Sequence, residues 1–563
     1  MTLGTISSLA SLILAASVLQ AGGFKLEAGP TGSKAEPRVP IVADKDLDVV
    51  KLSEPATLTK SNVKYVLTGD IEAPGTAFTI GGGVRDAILD LGGHVVTYNT
   101  EKQPAEGGNA YAGCVFGVLV KGRGIENIVI RNGTILQGKG GNAGSHAISM
   151  RGGRAIEICH LSSRVHGPST SNISAGWGGP NGRVHDNYLE NRSRTLKRGL
   201  FAPNGIVLSQ TGAGWEIYSN TIIGGHRGIA VWANALKDHD SKCNIHHNRL
   251  SPRRVHGQKA PQGIMCFGSA GNHIHENEIS TDDSRGINLQ GRGSGRNNVH
   301  HNLIACRYST KATRGNYVEN RCYGYWERDG DGNRLHANVW IVDNDVTDDR
   351  TSNSIGIMAT TTGGRLKSAQ YTGNRIICRH RNPAVEVLGF VVKRSDKGVV
   401  VEGNEIVART AGVRVWSGSK GVRVKGNALL RPPGAPADAP AVTGDNVEQC
   451  SVTDNVGASL TFGDAPAAPT GLVAIRRYEA VELRWAPSAE KDTVGYNVYC
   501  HGKRINPYPV GGRFYVHLDV KPDARQVYAV SAVGLSGRES AKSAPLVVAP
   551  QASPATAPAK ETP

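Results

Sequence analysis

Aromatic side chains, methionine and paired cysteine motifs are all scarce in this chain. With 8 Phe and 6% aromatics in 563 residues, one large aromatic core is excluded, and 71 Gly favour tight corners between small aliphatic stacks. Only 4 Met argues against a surface built to handle copper. Nine Cys occur without a Cys-x-x-Cys pattern, so they read as buried thiols and not as a disulfide framework. Acidic residues are also in deficit. Asp and Glu number 48 against 64 Lys and Arg, for a net charge of +16 and a pI of about 9.4. Such a chain collects polyanions. No nucleic-acid reader motif is present and few aromatics interleave with the basic residues, so no specific nucleic-acid partner is expected.

Long apolar runs are missing as well. Ile6 to Val18, followed by Ala21-Gly22-Gly23, is too short to span a bilayer and reads as an export signal over 1–23. No Lys or Arg precedes Lys25, so a buried first helix is the other reading. No later segment could cross a membrane, and the expected location is secreted or periplasmic.

What the chain does have is a repeat. His185-Asp186-Asn187, Tyr218-Ser219-Asn220, His246-His247-Asn248, His275-Glu276-Asn277 and His300-His301-Asn302 share one plan, with an apolar residue three before the Asn and another two after. The plan is continued at Asn344, Asn374, Asn404, Asn427 and Asn455. Nine intervals cover the 268 residues from Asn187 to Asn455, a mean period of about 30. A local hydrophobic period of two inside a repeat of that length specifies a parallel solenoid of strands, each coil completing the core of the next. Asn suits the corner through its tolerance of a left-handed backbone, and its amide can bond to the coil above.

A second motif, Gly-apolar-x-apolar, falls at another phase. It appears as Gly205-Ile206-Val207-Leu208, Gly228-Ile229-Ala230-Val231, Gly263-Ile264-Met265-Cys266, Gly286-Ile287-Asn288-Leu289 and Gly412-Val413-Arg414-Val415. Alternation points its second and fourth residues inward and its third outward. Each coil thus has a strand before the Asn, a strand after it, a variable loop, and the Gly-led strand.

With its entry segment Ala87-Ile88-Leu89-Asp90-Leu91-Gly92-Gly93-His94 and Ile130-Arg131-Asn132-Gly133-Thr134-Ile135, the chain resembles the right-handed parallel β-helix superfamily of pectate lyases and polygalacturonases over roughly 60–460. Asn132-Gly133 is out of phase by one residue, and Cys159 stands where an Asn is expected. Beyond the linker 463–469 the pattern changes to alternating strands: Val481-Glu482-Leu483-Arg484-Trp485, Gly495-Tyr496-Asn497-Val498-Tyr499 and Val527-Tyr528-Ala529-Val530-Ser531. These resemble a fibronectin type III domain over 470–548, with Trp485 as core tryptophan and Tyr528 as a core or corner tyrosine. The expected class is therefore all-β. A signal at 1–23 and an N-terminal segment at 24–59 precede a β-helix at 60–462. The linker, the sandwich and a Pro/Ala-rich disordered tail at 549–563 follow.

The resemblance implies a substrate lying along the sheet of Gly-led strands. Projected onto this chain, Asn204, Arg227, Gln262 and Arg285 precede the Gly. Val207, Ala230, Met265 and Asn288 point outward, and Ser209, Trp232, Phe267 and Gln290 lie two further on. Trp232 and Phe267 would offer platforms to sugar faces, with Arg227, Lys259, Asn288 and Gln290 as donors to their oxygens; they could equally pack under a loop. His226 and Arg285 are the expected catalytic pair, with His256 nearby. Asp282 and Asp283 are candidate ligands for Ca²⁺, the one cofactor suggested, or simply turn formers. Asp329-Gly330-Asp331-Gly332-Asn333 has the look of a Ca²⁺ loop without its spacing, and reads as a turn. The expected partner is an acidic polysaccharide and the expected state a monomer. β-Elimination is preferred to hydrolysis, which needs two carboxyl groups across the scissile bond; a binding protein without catalysis is the third reading. The stripe His185, Tyr218, His246, His275 and His300 reads as an outward polar ladder or a place where imidazoles converge on a metal.

Overall fold

The structure, a computed structural model, describes residues 41–44, 47–104, 113–176, 178–197, 200, 202–233, 240–253, 261–282, 285–291, 293–308, 321–328, 331–344, 353–360, 367–380, 386–395, 398–416, 418–445, 449–490 and 492–550. The expected export signal lies outside these residues, as does the expected tail beyond residue 550. Among the described residues there is no α-helix, and no helix long and apolar enough to cross a membrane.

Short apolar-alternating segments stack in parallel register into a right-handed β-helix. One coil shows the plan: Asn244–His246 before the corner, Arg249–Ser251 after it, and the Gly-led Gln262–Phe267. Each pairs with its equivalent one coil on, Asn244 with His273, Arg249 with Glu278 and Gln262 with Arg285. Inward residues such as Ile245, Leu250 and Ile264 are fully buried and sit over Ile274, Ile279 and Ile287. The Gly-led strands belong to a separate sheet, 14-stranded among the described residues, so this row is a continuous surface along the helix axis.

The corners are built differently from expectation in three respects. The left-handed residue is the one before the Asn: Asp186, Ser219, His247, Glu276 and His301 all have φ of 54–55°. The Asn itself is buried, and its amide closes the ladder. Asn248 Nδ2 donates to Asn277 Oδ1 at 2.9 Å, and Asn277 Nδ2 to Asn302 Oδ1 at 2.9 Å. Next, the ladder continues through Asn338, not Asn344, because Asn302 and Asn374 both bond to Asn338. Asn344 instead ends the strand Val339–Asn344. Last, Cys159 is in register with His185, so the Asn place in that coil belongs to Leu161, whose amide donates to Asn187 Oδ1. One coil earlier Asn132 is the left-handed residue, with φ 60°, which accounts for its one-residue phase difference. A second ladder, Asn272–Asn297–Asn333, stacks at another corner. Asn333 thus has a structural place, whereas Asp329 and Gly330 lie outside the described residues.

Where a Gly leads a strand of this row, as at Gly205 and Gly263, packing requires it. A Cβ on Gly205 would stand 2.2 Å from Ile222 Cγ2 and 2.7 Å from the Gly228 carbonyl oxygen. The same conflict recurs at Gly263, 2.5 Å from both Ile279 Cγ2 and the Gly286 oxygen.

Residues 473–548 form two antiparallel sheets. Val473–Arg477, Ala480–Arg484 and Phe514–Leu518 make one; Lys503–Arg504, Thr493–Cys500, Gln526–Gly534 and Leu546–Val548 make the other. Trp485, Tyr496, Val498, Tyr528 and Val530 share their core, and Tyr528 Oη lies 2.9 Å from His517 Nδ1. This unit lies against the outer face of the strands that follow the Asn corner. There Ala305, Ile341, Ile377, Val407 and Leu430, one register column, meet Val494 and Leu535. Tyr188 and Ile223 meet Phe514 and Val516.

Charge closes the seam. Glu482 is fully buried, accepts from Thr221 Oγ1 at 2.9 Å and pairs with Arg477 and Arg484 at 3.0 and 2.5 Å. Burial works against ionisation of Glu482, but Arg484 and Arg477 hold its pKa below the usual range. Glu482→Gln removes the charge that both guanidiniums face and is expected to cost about 1.5–3 kcal/mol, measured by equilibrium denaturation of the full chain. A change below about 0.5 kcal/mol would show that the pair contributes little to docking.

Candidate functional site

The projected site residues do fall on adjacent rungs of the Gly-led sheet. Asn204, Arg227, Gln262 and Arg285 are consecutive register partners. So are Ala230, Met265 and Asn288, and so are Ser209, Trp232, Phe267 and Gln290. Arg227 and Arg285 are two strand spacings apart, roughly 10 Å. His226 is joined to the same rungs by its backbone, which donates to the Pro203 oxygen and accepts from the Gln262 amide.

The face is more enclosed than an open groove. Asn204, His226, Gln262, Arg285 and Asn288 are all buried, Asn288 completely. Val207, Ala230 and Met265 form an apolar patch on which Trp232 and Phe267 pack, their rings 5.0 Å apart. Trp232 and Phe267 keep part of their surface exposed, so one edge of the platform remains available. Gln290 is likewise half-buried at the end of its rung.

Arg227 is the electrostatic centre of this face. Its guanidinium lies over the Trp232 ring at 5.5 Å and reaches Asn204 Oδ1 at 3.4 Å. Burial pushes its pKa down to about 10, which leaves it cationic at neutral pH. Among the described residues no carboxylate forms an ion pair with it. Asn288 carries a second mismatch, for neither its Oδ1 nor its Nδ2 has a hydrogen-bond partner among the described residues. The partly enclosed cation suits a ligand bearing an anionic group, while the unsatisfied Asn288 amide lies two rungs on and is closed off from solvent.

The remaining candidates are placed differently. Asp282 ends the strand Glu278–Asp282 opposite Arg307, in the row after the corner, and so is not on the Gly-led sheet. Asp283, His256 and Lys259 lie outside the described residues. A cavity of about 420 Å³ lies elsewhere, between the row after the corner and the two-sheet unit, where Arg307 stacks on Tyr508 at 3.8 Å and Arg379 pairs with Asp343 at 2.8 Å.

The stripe two residues before the corner is a continuous ring stack. His185, Tyr218, His246, His275, His300 and His336 follow at 4.6–5.1 Å with interplanar angles of 2–12°. The pKa values of its members are shifted in opposite directions. Although burial opposes protonation, hydrogen bonds to Asp186, Cys159 and Glu157 raise the His185 pKa to about 11. Burial and the neighbouring His275, His273, His336 and His301 push His300 down to about 3. His336, missed by the sequence reading through the choice of Asn344 over Asn338, belongs to the same column.

No protein-family model and no curated protein sequence matches the chain. Among solved structures it is similar to tailspike protein 3 of bacteriophage CBA120, at 12% identity and TM-score 0.35 over 76% of this chain and 59% of that one. Further similarity is found to PfbA, a surface adhesin of Streptococcus pneumoniae, at 12% identity and TM-score 0.32 over 68% of this chain and 82% of that one. The tailspike of E. coli bacteriophage HK620, solved with a pentasaccharide, aligns at 11% identity and TM-score 0.27 over 89% and 84%.

Proposed function

We propose that this chain is an exported protein that acts on an acidic polysaccharide held along the Gly-led sheet, by β-elimination. The observation that carries the reading is Arg227, a desolvated guanidinium with a ring and an amide for neighbours and no carboxylate among the described residues. A uronate carboxylate would complete it. Neutralising that carboxylate acidifies the adjacent C–H; a base takes the proton, the C–O bond to the leaving sugar breaks, and a C=C bond forms. Arg227 is assigned to the carboxylate, Arg285 to neutralisation or proton abstraction, and His226 to proton exchange with the departing oxygen. Gln290, half-buried at the end of its rung, would bind hydroxyls beside Trp232 and Phe267. The two-sheet unit, which we read as a fibronectin type III-like module, would brace the opposite side of the helix.

Incubation of the purified protein with a panel of uronate and sulfated glycans tests this. Ultraviolet absorbance from unsaturated ends together with new reducing ends is expected. Reducing ends alone would replace elimination by hydrolysis. Binding without cleavage would leave a carbohydrate-binding protein, and the absence of both binding and cleavage would overturn the reading.

A further inference from the structure

The histidine face lies on a different row of the coil from the Gly-led sheet, and the function proposed above does not use it. Its parallel rings have a structural consequence. Because the imidazoles stack flat, their ring nitrogens project sideways, into the columns that flank the stack. On one side is the corner column with His247, Glu276 and His301; on the other is the strand-start column with Asn244, His273 and Asn298.

At His275 both nitrogens are engaged. Nε2 is 3.0 Å from Asn244 Oδ1 and Nδ1 is 2.9 Å from Glu276 Oε2. An amide oxygen only accepts, so Nε2 carries the proton, and the neutral ring turns the lone pair of Nδ1 toward a carboxylate oxygen. The same Glu276 Oε2 lies 3.4 Å from His247 Nε2, which comes from the preceding coil. Two imidazole nitrogens and a carboxylate oxygen therefore face one another, all within 4.8 Å. With the His247 proton on Nδ1, 2.8 Å from His246 Nδ1, its Nε2 lone pair joins the other two electron-rich atoms and a cation fits between them.

We infer that His247, His275 and Glu276 form a binding site for a divalent transition-metal ion of the Zn²⁺ class. The separations suit it. With metal–ligand distances of about 2.0–2.1 Å, two ligands at a tetrahedral angle stand about 3.3 Å apart, against 3.4 Å for His247–Glu276 and 2.9 Å for His275–Glu276, which opens by a few tenths of an ångström on binding. The donor set of two imidazoles and one carboxylate selects Zn²⁺, Ni²⁺ or Cu²⁺ over Ca²⁺ and Mg²⁺, which take all-oxygen shells. Asn244 fixes the His275 tautomer from outside the shell, the usual supporting bond of a metal-bound histidine. Side-chain exposures of 25%, 15% and 41% for His247, His275 and Glu276 leave the site reachable from solvent, with room for water as a fourth ligand. The left-handed backbone of His247 and Glu276, φ 55° at each, directs two consecutive corner residues to the same side.

The test is calorimetric titration of the chelator-treated full chain with Zn²⁺. A saturable site of micromolar or tighter affinity is expected, weakened at least tenfold in His247→Asn and in Glu276→Gln and unchanged in His336→Asn. Both changes sit at solvent-reachable corners, where Asn tolerates positive φ and Gln keeps the shape of Glu. Absence of saturable binding in the wild type would overturn the proposal. So would binding that both substitutions leave intact, which would move the ion to another part of the face, such as His273 and His300. If a variant fails to fold, thermal melts of the wild type carry the test instead. Zn²⁺ bound to the native state must raise the midpoint, and an unmoved midpoint counts against the site.

Discussion

Asn277→Ala is expected to be among the most damaging single substitutions in the β-helix, at about 3–6 kcal/mol, because it leaves several buried groups without partners at about 1–3 kcal/mol each. Asn277 is fully buried. Its Nδ2 donates to the Ile245 oxygen at 2.9 Å and to Asn302 Oδ1 at 2.9 Å, while its Oδ1 accepts from the Asn248 amide at 3.1 Å and from Asn248 Nδ2 at 2.9 Å. One amide thus ties together three coils. Alanine can replace none of these bonds, and the packed corner limits the entry of water to compensate. In a solenoid the damage is carried by nearest-neighbour coupling, so it should be greatest in the coils of Asn248 and Asn302. Hydrogen exchange resolved by peptide checks this, with strong loss of protection at residues 244–251 and 298–304 and little near 63–67. A loss of stability below about 1 kcal/mol, or a uniform change in exchange, would show that apolar stacking holds the coils without the ladder.

The parts of this architecture that were legible in sequence are those in which every coil repeats one physical requirement. Ile245, Ile274 and Val299 recur because each covers the next, and Gly205, Gly228 and Gly263 recur because a Cβ would meet the neighbouring coil. Phase was less secure where two residues could meet the same pattern. Asn338 and Asn344 each have an apolar residue three before and two after, Leu335 and Trp340 or Ile341 and Val346, and only the register through His336 and the amide ladder distinguish them. The left-handed place was hidden because Asp, Ser, His and Glu fill it in turn, so no single residue type signals it. Docking of the two-sheet unit did leave a signal: adjacent apolar pairs such as Ile376-Ile377, Ile406-Val407 and Leu429-Leu430 are buried on both faces. Enclosure of the Gly-led face could not be read, since alternation reports only which side of a sheet a residue takes, not what lies over it.

Arg285→Ala and His226→Ala are each expected to lower turnover of an acidic glycan by about a hundredfold or more, the effect of removing a group that acts on the reacting proton. Arg227→Ala should act differently. If it holds the substrate carboxylate in the ground state and the transition state alike, KM rises more than kcat falls. Lysine at 227 keeps the charge but not the planar contact with Trp232, so it should recover only part of the loss. The register supports testing these residues as a set, because Arg227 and Arg285 flank Gln262 on successive coils and His226 leads the first of them. His226 and Arg285 are both buried, so the fold of each variant must be compared with wild type by circular dichroism and melting. Normal folding with unchanged kcat and KM in all three variants would move the reaction to another part of the helix. A loss confined to Arg227→Ala would retain the anion site and remove His226 and Arg285 from the chemistry. A loss in His226→Ala and Arg285→Ala that persists at saturating substrate, with the fold intact, is the outcome that places both at the reacting bond.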